Sequence, residues 1–240
     1  MTLYYEAQGQ GVEAILLLHG WGFDARVWQS LAALLSQNFR VILVDLPGFG
    51  RSKSVVMPDT MSELAHMVLP LLNEARYLIG WSLGGLLAQH MALYYPNRVG
   101  RVLSIASSPR FLEAPGWRGV TKERFDAYYK AVVEHPTEAL VAFAQQLVPN
   151  RLRARAQLLI ADSTRASLQN GLRILEKTDY RAQISHSAPL QWCFGLQDHL
   201  AHPNHLELSF TYPGRGHMPM LSVTTELHQW ITSALSNAEG

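Results

Sequence analysis

Residues 80 to 85 place a serine between glycines in a pattern suited to nucleophilic chemistry. The segment reads Gly-Trp-Ser-Leu-Gly-Gly, follows the short apolar run 77–79 and precedes the helix-like stretch 86–92. In such a sharp strand-to-helix turn, the flanking glycines let the chain pack closely, and the hydroxyl lies at a helix N-terminus that favours negative charge. Ser82 is therefore a candidate nucleophile, the alternative being an ordinary tight turn.

A serine nucleophile needs a base and an acid, and the sequence supplies both in the order Ser, Asp, His. Asp198 follows the apolar run 190–194, and His217 comes nineteen residues later in Gly-His-Met-Pro. A loop histidine between Gly and Pro is poorly suited to a helix or strand, so its side chain is free to face a cleft. With an unperturbed pKa of about 6.5, His217 can exchange the Ser82 proton near neutrality, while Asp198 orients the ring.

The turn at residues 19–22, His-Gly-Trp-Gly, follows another apolar run and presents main-chain N–H groups at the same edge of the predicted sheet. The N–H groups of Trp21 and Leu83 are predicted to form an oxyanion hole. The indole of Trp21 then has a separate role, packing against the acyl chain or the core.

Other reactive residue types are interpreted as structural. His19 is expected to stabilise its turn, and Asp45 to brace the loop after its strand. Cys193 lies in an apolar run and is expected to be a buried thiol. Three histidines recur at three-residue intervals, but Pro203 interrupts any helix and no other ligand cluster accompanies them, so no metal site is predicted. These are His199, His202 and His205.

Composition excludes several classes of protein. The chain has 240 residues, 48% of them hydrophobic, and a formal net charge of +1, which gives no general attraction for nucleic acid or anionic membranes. Its N-terminus lacks a basic region and a long apolar run, and no stretch reaches the length of a membrane span. A single cysteine cannot form an internal disulfide. We expect a cytoplasmic globular protein that acts as a monomer.

Apolar runs alternate with amphipathic segments over the first 106 residues, which predicts a mostly parallel sheet flanked by helices, hence an α/β fold. From 111 to 180 helix-period sequences replace strand-like ones, punctuated by residues that include Pro136, Pro149 and Gly171. Strand character returns at 190–194 and 206–212. We therefore predict a core formed by 1–110 and 181–240, with a helical lid over 111–180 inserted before the last strands. The alternative is that these helices extend the core.

Five segments together resemble the α/β-hydrolase superfamily over nearly the whole chain: 19–22, 45–52, 80–85, 195–198 and 216–217. More narrowly, His-Gly-Trp-Gly at 19–22, Gly-Trp-Ser-Leu-Gly-Gly-Leu at 80–86 and Asn-Gly-Leu-Arg-Ile-Leu at 170–175 are similar to the carboxylesterases of biotin synthesis. The resemblance implies hydrolysis of a methyl ester on a pimeloyl chain carried by acyl carrier protein, without a cofactor.

The resemblance also implies contacts for substrate and carrier. Substrate contacts are implied for the residues already given catalytic or oxyanion roles, namely Trp21, Ser82, Leu83 and His217, and for one lid segment. That segment comprises Phe143, Ala144, Gln145, Gln146 and Leu147. Phe143 and Leu147 share a helix face and are candidates for an acyl pocket, or are plain core residues. Carrier contacts are implied for a run of arginines, Arg151, Arg153 and Arg155. Residues 134–144 contain no arginine, so part of the carrier-binding patch that the resemblance implies is missing or has moved.

Two other functions remain open at this point. One is a general carboxylesterase, or a lyase of menaquinone synthesis, built on the same fold and triad. The other is a non-catalytic protein that uses the fold as a ligand cup, since a fold does not fix a function. All three candidate catalytic residues are present in this chain, which favours an enzyme.

Overall fold

A seven-stranded sheet organises the computed structural model, which describes residues 2–184, 190–213 and 216–236. The strands are β1 (Tyr5–Gln8), β2 (Ala14–Leu18), β3 (Arg40–Val44), β4 (Tyr77–Trp81), β5 (Arg101–Ile105), β6 (Leu190–Gly195) and β7 (Phe210–Tyr212). They lie in the order β1-β3-β2-β4-β5-β6-β7. Only the pairing of β1 with β3 is antiparallel among these strands.

The described helices are α1 (Gln29–Leu35), α2 (Met61–Val68), α3 (Leu83–Tyr94), α4 (Lys122–Glu134), α5 (Pro136–Gln146), α6 (Arg153–Leu158), α7 (Arg165–Lys177), α8 (Pro219–Ser222) and α9 (Thr224–Ser236). Short 3₁₀ turns lie directly before α1, at 25–28, and directly after α2, at 69–73. None of the helices in these ranges is long and apolar enough to cross a membrane.

The central strands are continuous apolar runs because both faces of the sheet are covered. Every residue of β2 and of β4 is buried. By contrast, every residue of β1 is exposed, and its sequence Tyr-Glu-Ala-Gln carries no apolar run. The α/β-hydrolase architecture predicted from the sequence is confirmed, with β1 as an additional antiparallel edge strand.

Four helices, α4 to α7, lie between β5 and β6 and form most of the helical segment, residues 111–180. Its role as a lid stays a prediction. One expectation for it is wrong, because Gly171 does not interrupt a helix but lies inside α7. A Cβ at Gly171 would lie 2.6 Å from Cδ1 of Trp21, so close packing explains the glycine.

Parallel strands bring their carboxyl ends to one edge of the sheet, and the loops there carry the candidate residues. Ser82 directly follows β4, and Asp198 lies three residues after β6. His217 lies beyond β7, and Trp21 lies three residues after β2. The topology therefore gathers residues that are far apart in sequence.

Candidate active site

Ser82 occupies a strained turn between β4 and α3. Its φ of 54° and ψ of −117° are unusual for a residue with a side chain, and it is the N-cap of α3. Glycines on both sides make the turn possible. A Cβ at Gly80 would lie 2.2 Å from the carbonyl oxygen of Gly84, and a Cβ at Gly84 would lie 2.2 Å from that of Leu18. The glycines at −2 and +2 thus have the packing role expected of a nucleophile elbow.

A continuous hydrogen-bonded chain joins Ser82, His217 and Asp198. Nε2 of His217 lies 3.0 Å from Oγ of Ser82, and Nδ1 of His217 lies 2.7 Å from Oδ2 of Asp198. All three are buried, with 6%, 2% and 4% of the residue surface exposed. A carboxylate accepts from Nδ1–H, so Nε2 of the neutral ring faces the hydroxyl as an acceptor. This geometry can move a proton from Ser82 to His217.

Main-chain groups hold the carboxylate of Asp198 in place. Its Oδ1 atom accepts hydrogen bonds from the N–H groups of Leu200 at 2.9 Å and Ala201 at 3.3 Å. The other oxygen is thereby directed at His217. A buried carboxylate with these partners is well placed to orient the imidazole and to stabilise its protonated form.

Three hydrogen bonds fix the loop that carries His217. Its main-chain N–H donates to the carbonyl of Leu147 at 2.7 Å, and its own carbonyl accepts from Nε1 of Trp81 at 2.6 Å. The hydroxyl of Tyr212 donates to the carbonyl of Gly216 at 2.8 Å. Gly214 and Arg215, which precede this part of the loop, lie outside the described residues.

The turn before Trp21 and the start of α3 lie beside Ser82. Leu83 is the first residue of α3, and a Cβ at Gly20 would lie 3.2 Å from Cβ of Ser82, so the turn before Trp21 packs against the serine. The main-chain N–H groups of Trp21 and Leu83 donate to no acceptor in the part of the chain that the structure describes. Two unengaged donors next to a hydroxyl can stabilise a developing oxyanion.

An almost wholly apolar cavity opens beside Ser82 and His217. Nine further residues line it: Trp21, Phe111, Val120, Phe125, Tyr128, Phe143, Leu172, Leu175 and Leu200. Most come from the helical segment, and only Trp21 and Phe143 were singled out from the sequence. Leu172 and Leu175 lie in the segment 170–175 that was quoted for the resemblance, and no local motif marks the other five lining residues.

The remaining residues of the segment 143–147 do not line this cavity. Ala144 and Leu147 are buried, and the carbonyl of Leu147 accepts from the His217 loop. The side chain of Gln146 accepts from the hydroxyl of Tyr128 at 2.7 Å, and Gln145 is half-buried. Phe143 alone in this segment lines the cavity, because one helix turn presents only part of its surface to it, and substrate contacts of residues 144–147 stay a prediction.

The three arginines are exposed, and two of them have different hydrogen-bond partners. Nε of Arg153 donates to the carbonyl of Gln145 at 3.2 Å, whereas Arg155 donates to the hydroxyl of Ser30 at 3.0 Å. Arg151 lies in the 3₁₀ turn before α6. Their role in carrier binding stays a prediction.

The residues interpreted as structural have such contacts. Nε2 of His19 accepts from the N–H of Leu46 at 2.8 Å, and burial lowers the pKa of His19. Burial alone would raise the pKa of Asp45, but hydrogen bonds from Arg51 and Ala25 outweigh it and lower the pKa. Cys193 is buried in β6, which raises the pKa of its thiol well above the usual value.

No cluster of three or more potential metal ligands occurs within 2–184, 190–213 and 216–236. His199 and His205 are exposed, and His202 is half-buried.

Comparisons with known proteins identify the family of this chain. The model of the alpha/beta hydrolase fold family matches residues 13–209. A pimeloyl-acyl-carrier protein methyl ester esterase from Pectobacterium carotovorum is 36% identical over 208 residues, covering 83% of this chain and 81% of the relative. One from Edwardsiella ictaluri is 34% identical over 240 residues, covering 92% of each chain.

Solved structures share the fold at lower identity. A hydrolase from Pseudomonas aeruginosa is similar with a TM-score of 0.83 and 23% identity, over 97% of this chain and 94% of that one. MenH from S. aureus is similar with a TM-score of 0.75 and 17% identity, over 99% of both. The chain belongs to the alpha/beta hydrolase fold family, and it is an enzyme related to the pimeloyl-acyl-carrier protein methyl ester esterases.

Proposed function

We propose that this protein is a serine carboxylesterase that hydrolyses the methyl ester of pimeloyl-acyl carrier protein to pimeloyl-acyl carrier protein and methanol. The observation that carries the proposal is the hydrogen-bonded chain Ser82–His217–Asp198 at one end of an apolar cavity. Relatives of that name at 34–36% identity support the substrate.

In the first half of the reaction Oγ of Ser82 attacks the ester carbonyl carbon while Nε2 of His217 takes the hydroxyl proton. The carbonyl oxygen becomes negative and accepts hydrogen bonds from the N–H groups of Trp21 and Leu83. The tetrahedral intermediate then collapses, and the methoxy group leaves as methanol with the proton from His217. Asp198 stabilises the imidazolium throughout. The product of this half is an acyl-enzyme on Ser82.

In the second half a water molecule replaces methanol. The water oxygen attacks the acyl carbon while His217 takes a proton from the water. His217 then gives this proton to Oγ of Ser82 when the ester bond between Ser82 and the acyl group breaks. Side chains and main-chain N–H groups supply every role, so the proposed reaction needs no cofactor. We further propose that the enzyme acts as a cytoplasmic monomer.

The cavity suits a methylene chain that ends in a neutral ester. Its lining is apolar apart from Ser82, His217 and the hydroxyl of Tyr128. That hydroxyl already donates a hydrogen bond to the side-chain oxygen of Gln146. A methyl ester enters such a space without desolvating a charge, whereas a free carboxylate pays a large desolvation cost. The ionised product is therefore expelled, and an unesterified pimeloyl chain binds poorly.

Carrier binding is proposed for the exposed Arg151, Arg153 and Arg155. Because Arg153 and Arg155 lie against different neighbours, we test them one at a time. Each change to Glu is expected to raise KM for the carrier-bound ester and to leave kinetics on free dimethyl pimelate unchanged. Equal effects on both substrates would assign these side chains to folding instead of carrier binding.

The proposed chemistry is tested by mass spectrometry of the carrier. Incubation with the wild-type protein should convert the carrier-bound methyl ester to the acid with release of methanol, and Ser82→Ala should not. A lyase or a ligand-binding protein would leave the carrier-bound ester intact. That result, with wild-type protein that is folded, would reject the proposed function.

A further inference from the structure

The side chain of Trp21 is held by the helical segment. Its Nε1 atom donates a hydrogen bond to the carbonyl of Leu168 in α7 at 2.9 Å. Its ring meets the ring of Phe143 in α5 edge to face, with centroids 4.9 Å apart. The residue that carries a proposed oxyanion donor is therefore clamped by two helices that contribute no group to the Ser82–His217–Asp198 chain.

Gly171 provides the space in which the indole lies. A Cβ at Gly171 would lie 2.6 Å from Cδ1 and 3.1 Å from Nε1 of Trp21. Glycine in the interior of a helix is unfavourable relative to alanine, so its presence in α7 calls for a packing reason. The close approach of Trp21 is that reason.

The residues after Trp21 are fastened to the same segment. The carbonyl of Gly22 accepts from the N–H of Ala161 at 3.0 Å, and Phe23 forms a β-bridge with Ile160. Gly22 has a φ of +78°, and a Cβ there would lie 2.7 Å from Leu140 of α5. The main chain of the turn, as well as its side chain, is thus set by the helical segment.

Helix α7 is itself fixed to the core. Asn170 donates from Nδ2 to the carbonyl of Met57 at 2.8 Å. Ser167 packs against Gly48, where an added Cβ would lie 2.5 Å from Cβ of Ser167. Because these contacts fix α7 against the core, α7 can in turn fix the position of Trp21.

We propose that Leu168 and Gly171 are positioning residues for the oxyanion hole, acting through the indole of Trp21 to set the distance between its main-chain N–H and the reacting carbonyl oxygen. This inference rests on the proposed function. It makes the helical segment part of the catalytic geometry as well as the wall of the cavity. Displacement of a catalytic group by about 1 Å can lower a rate by up to about 100-fold, so small movements of this turn matter.

The first test is Gly171→Ala, whose added methyl group must displace the indole. With p-nitrophenyl acetate, which needs little of the cavity, kcat should fall about 10-fold or more while KM changes less than about twofold. Affinity for a small alkylboronic acid, which forms a tetrahedral anionic adduct with a serine hydroxyl, should fall in parallel. Gly100→Ala is the matched control, because its nearest neighbour atom would be 3.4 Å away. It should leave both quantities unchanged.

A double-mutant cycle shows whether Gly171 acts through Trp21. In a Trp21→Ala background the indole is gone, so Gly171→Ala should cause no further loss of kcat. Trp21→Phe, which keeps a ring but loses the bond to Leu168, should lower kcat and boronate affinity together at unchanged KM. This second variant decides the matter if Gly171→Ala fails to fold.

Unchanged kcat in the folded single variants, or additive losses in the cycle, would overturn the positioning role. Because p-nitrophenyl acetate and the boronic acid report on the oxyanion hole without the carrier, such a result is distinct from failure of the proposed function. That failure would appear as intact carrier-bound ester with the wild-type protein.

Discussion

The indole of Trp81 donates its Nε1 hydrogen to the main-chain carbonyl of His217 at 2.6 Å, and the two rings lie 5.8 Å apart between centroids. The residue that precedes Ser82 in β4 therefore holds the loop that carries the candidate base. Ser82 and His217 are thus connected through this bond as well as through their own contact. Strand β4 therefore positions both the candidate nucleophile and the loop of the candidate base.

Trp81→Phe removes the hydrogen bond to His217 but keeps an aromatic ring in place, so it tests the bond separately from packing. The buried carbonyl of His217 loses its donor, which should cost about 1–3 kcal/mol in the free energy of unfolding. We expect kcat for ester hydrolysis to fall with KM nearly unchanged, as measured by steady-state kinetics. Trp117→Phe is the control, since Trp117 donates an indole hydrogen bond to the carbonyl of Arg110, which is not bonded to Ser82, His217 or Asp198. An equal loss of kcat in both variants would contradict the positional role.

Asp198→Asn tests the orienting carboxylate. The amide can still accept from the N–H groups of Leu200 and Ala201, so the fold should persist. An amide NH₂ facing His217 favours the wrong ring tautomer, and the comparable change in a serine protease lowers kcat on the order of 10⁴-fold. We expect a loss of similar size in single-turnover or steady-state assays.

The control for that loss is Asp45→Asn. Asp45 is a buried carboxylate that accepts from Ala25 and Arg51 but does not contact His217. This variant should unfold at a lower temperature yet retain most of its kcat once folded. If it lost activity as severely as Asp198→Asn, the assignment of the orienting acid to Asp198 would be wrong.

The buried His90 should make stability depend on pH. Burial, assisted by the nearby His66, lowers the pKa of His90 to about 4, and its Nδ1 lies 2.6 Å from the hydroxyl of Tyr180. In the unfolded chain the pKa is about 6.5, so the unfolded state binds the proton first as the pH falls. The free energy of unfolding should decrease from about pH 6.5 to about pH 4, by up to about 3 kcal/mol from this group.

Denaturant titrations at several pH values can isolate this effect. His90→Gln keeps an acceptor for Tyr180 and removes the titrating group. The wild-type protein should lose more stability than His90→Gln between pH 6.5 and 4. Parallel curves for the two proteins would mean that His90 does not titrate with a lowered pKa.

Phe143 should contribute to recognition of the acyl chain. It contacts the rings of Trp21 and Tyr128 and lines the cavity. Phe143→Ala removes apolar surface from the part of the cavity that would hold the acyl chain. KM for dimethyl pimelate should therefore rise about 10-fold, and KM for the short ester methyl acetate should rise much less. Val141→Ala on the same helix does not alter the cavity lining and should affect neither ester. Equal changes in KM for both esters would contradict a chain-binding role.

The sequence was most informative where one local rule decides the structure. The alternation of apolar and amphipathic segments over the first 106 residues predicted the mostly parallel sheet, and the helix-period sequence after 111 predicted helices between β5 and β6. Strand β1 was missed because it is an exposed edge strand whose position depends on pairing with β3. An interruption at Gly171 was predicted wrongly because this glycine was interpreted from its helix propensity, whereas packing against Trp21 explains its place inside α7.

The same distinction holds at the site. The motif around Ser82 and the chain order Ser, Asp, His indicated Ser82, Asp198 and His217 as candidates. In the structure these three residues form a chain of hydrogen bonds. The bond from Trp81 to His217 spans 136 positions, and no pattern in the sequence signals it. Most of the cavity lining likewise depends on how α4 and α7 pack, so its residues are recognisable only in three dimensions.

The most direct test of the account is kcat/KM for the carrier-bound pimeloyl methyl ester against free dimethyl pimelate, with Ser82→Ala as the blank. We expect the carrier-bound ester to be preferred by a factor that falls as salt is raised, and both activities to vanish in the blank. Comparable rates on both esters would leave a general esterase. A rate on the carrier-bound ester that persists in Ser82→Ala would contradict the proposed nucleophile.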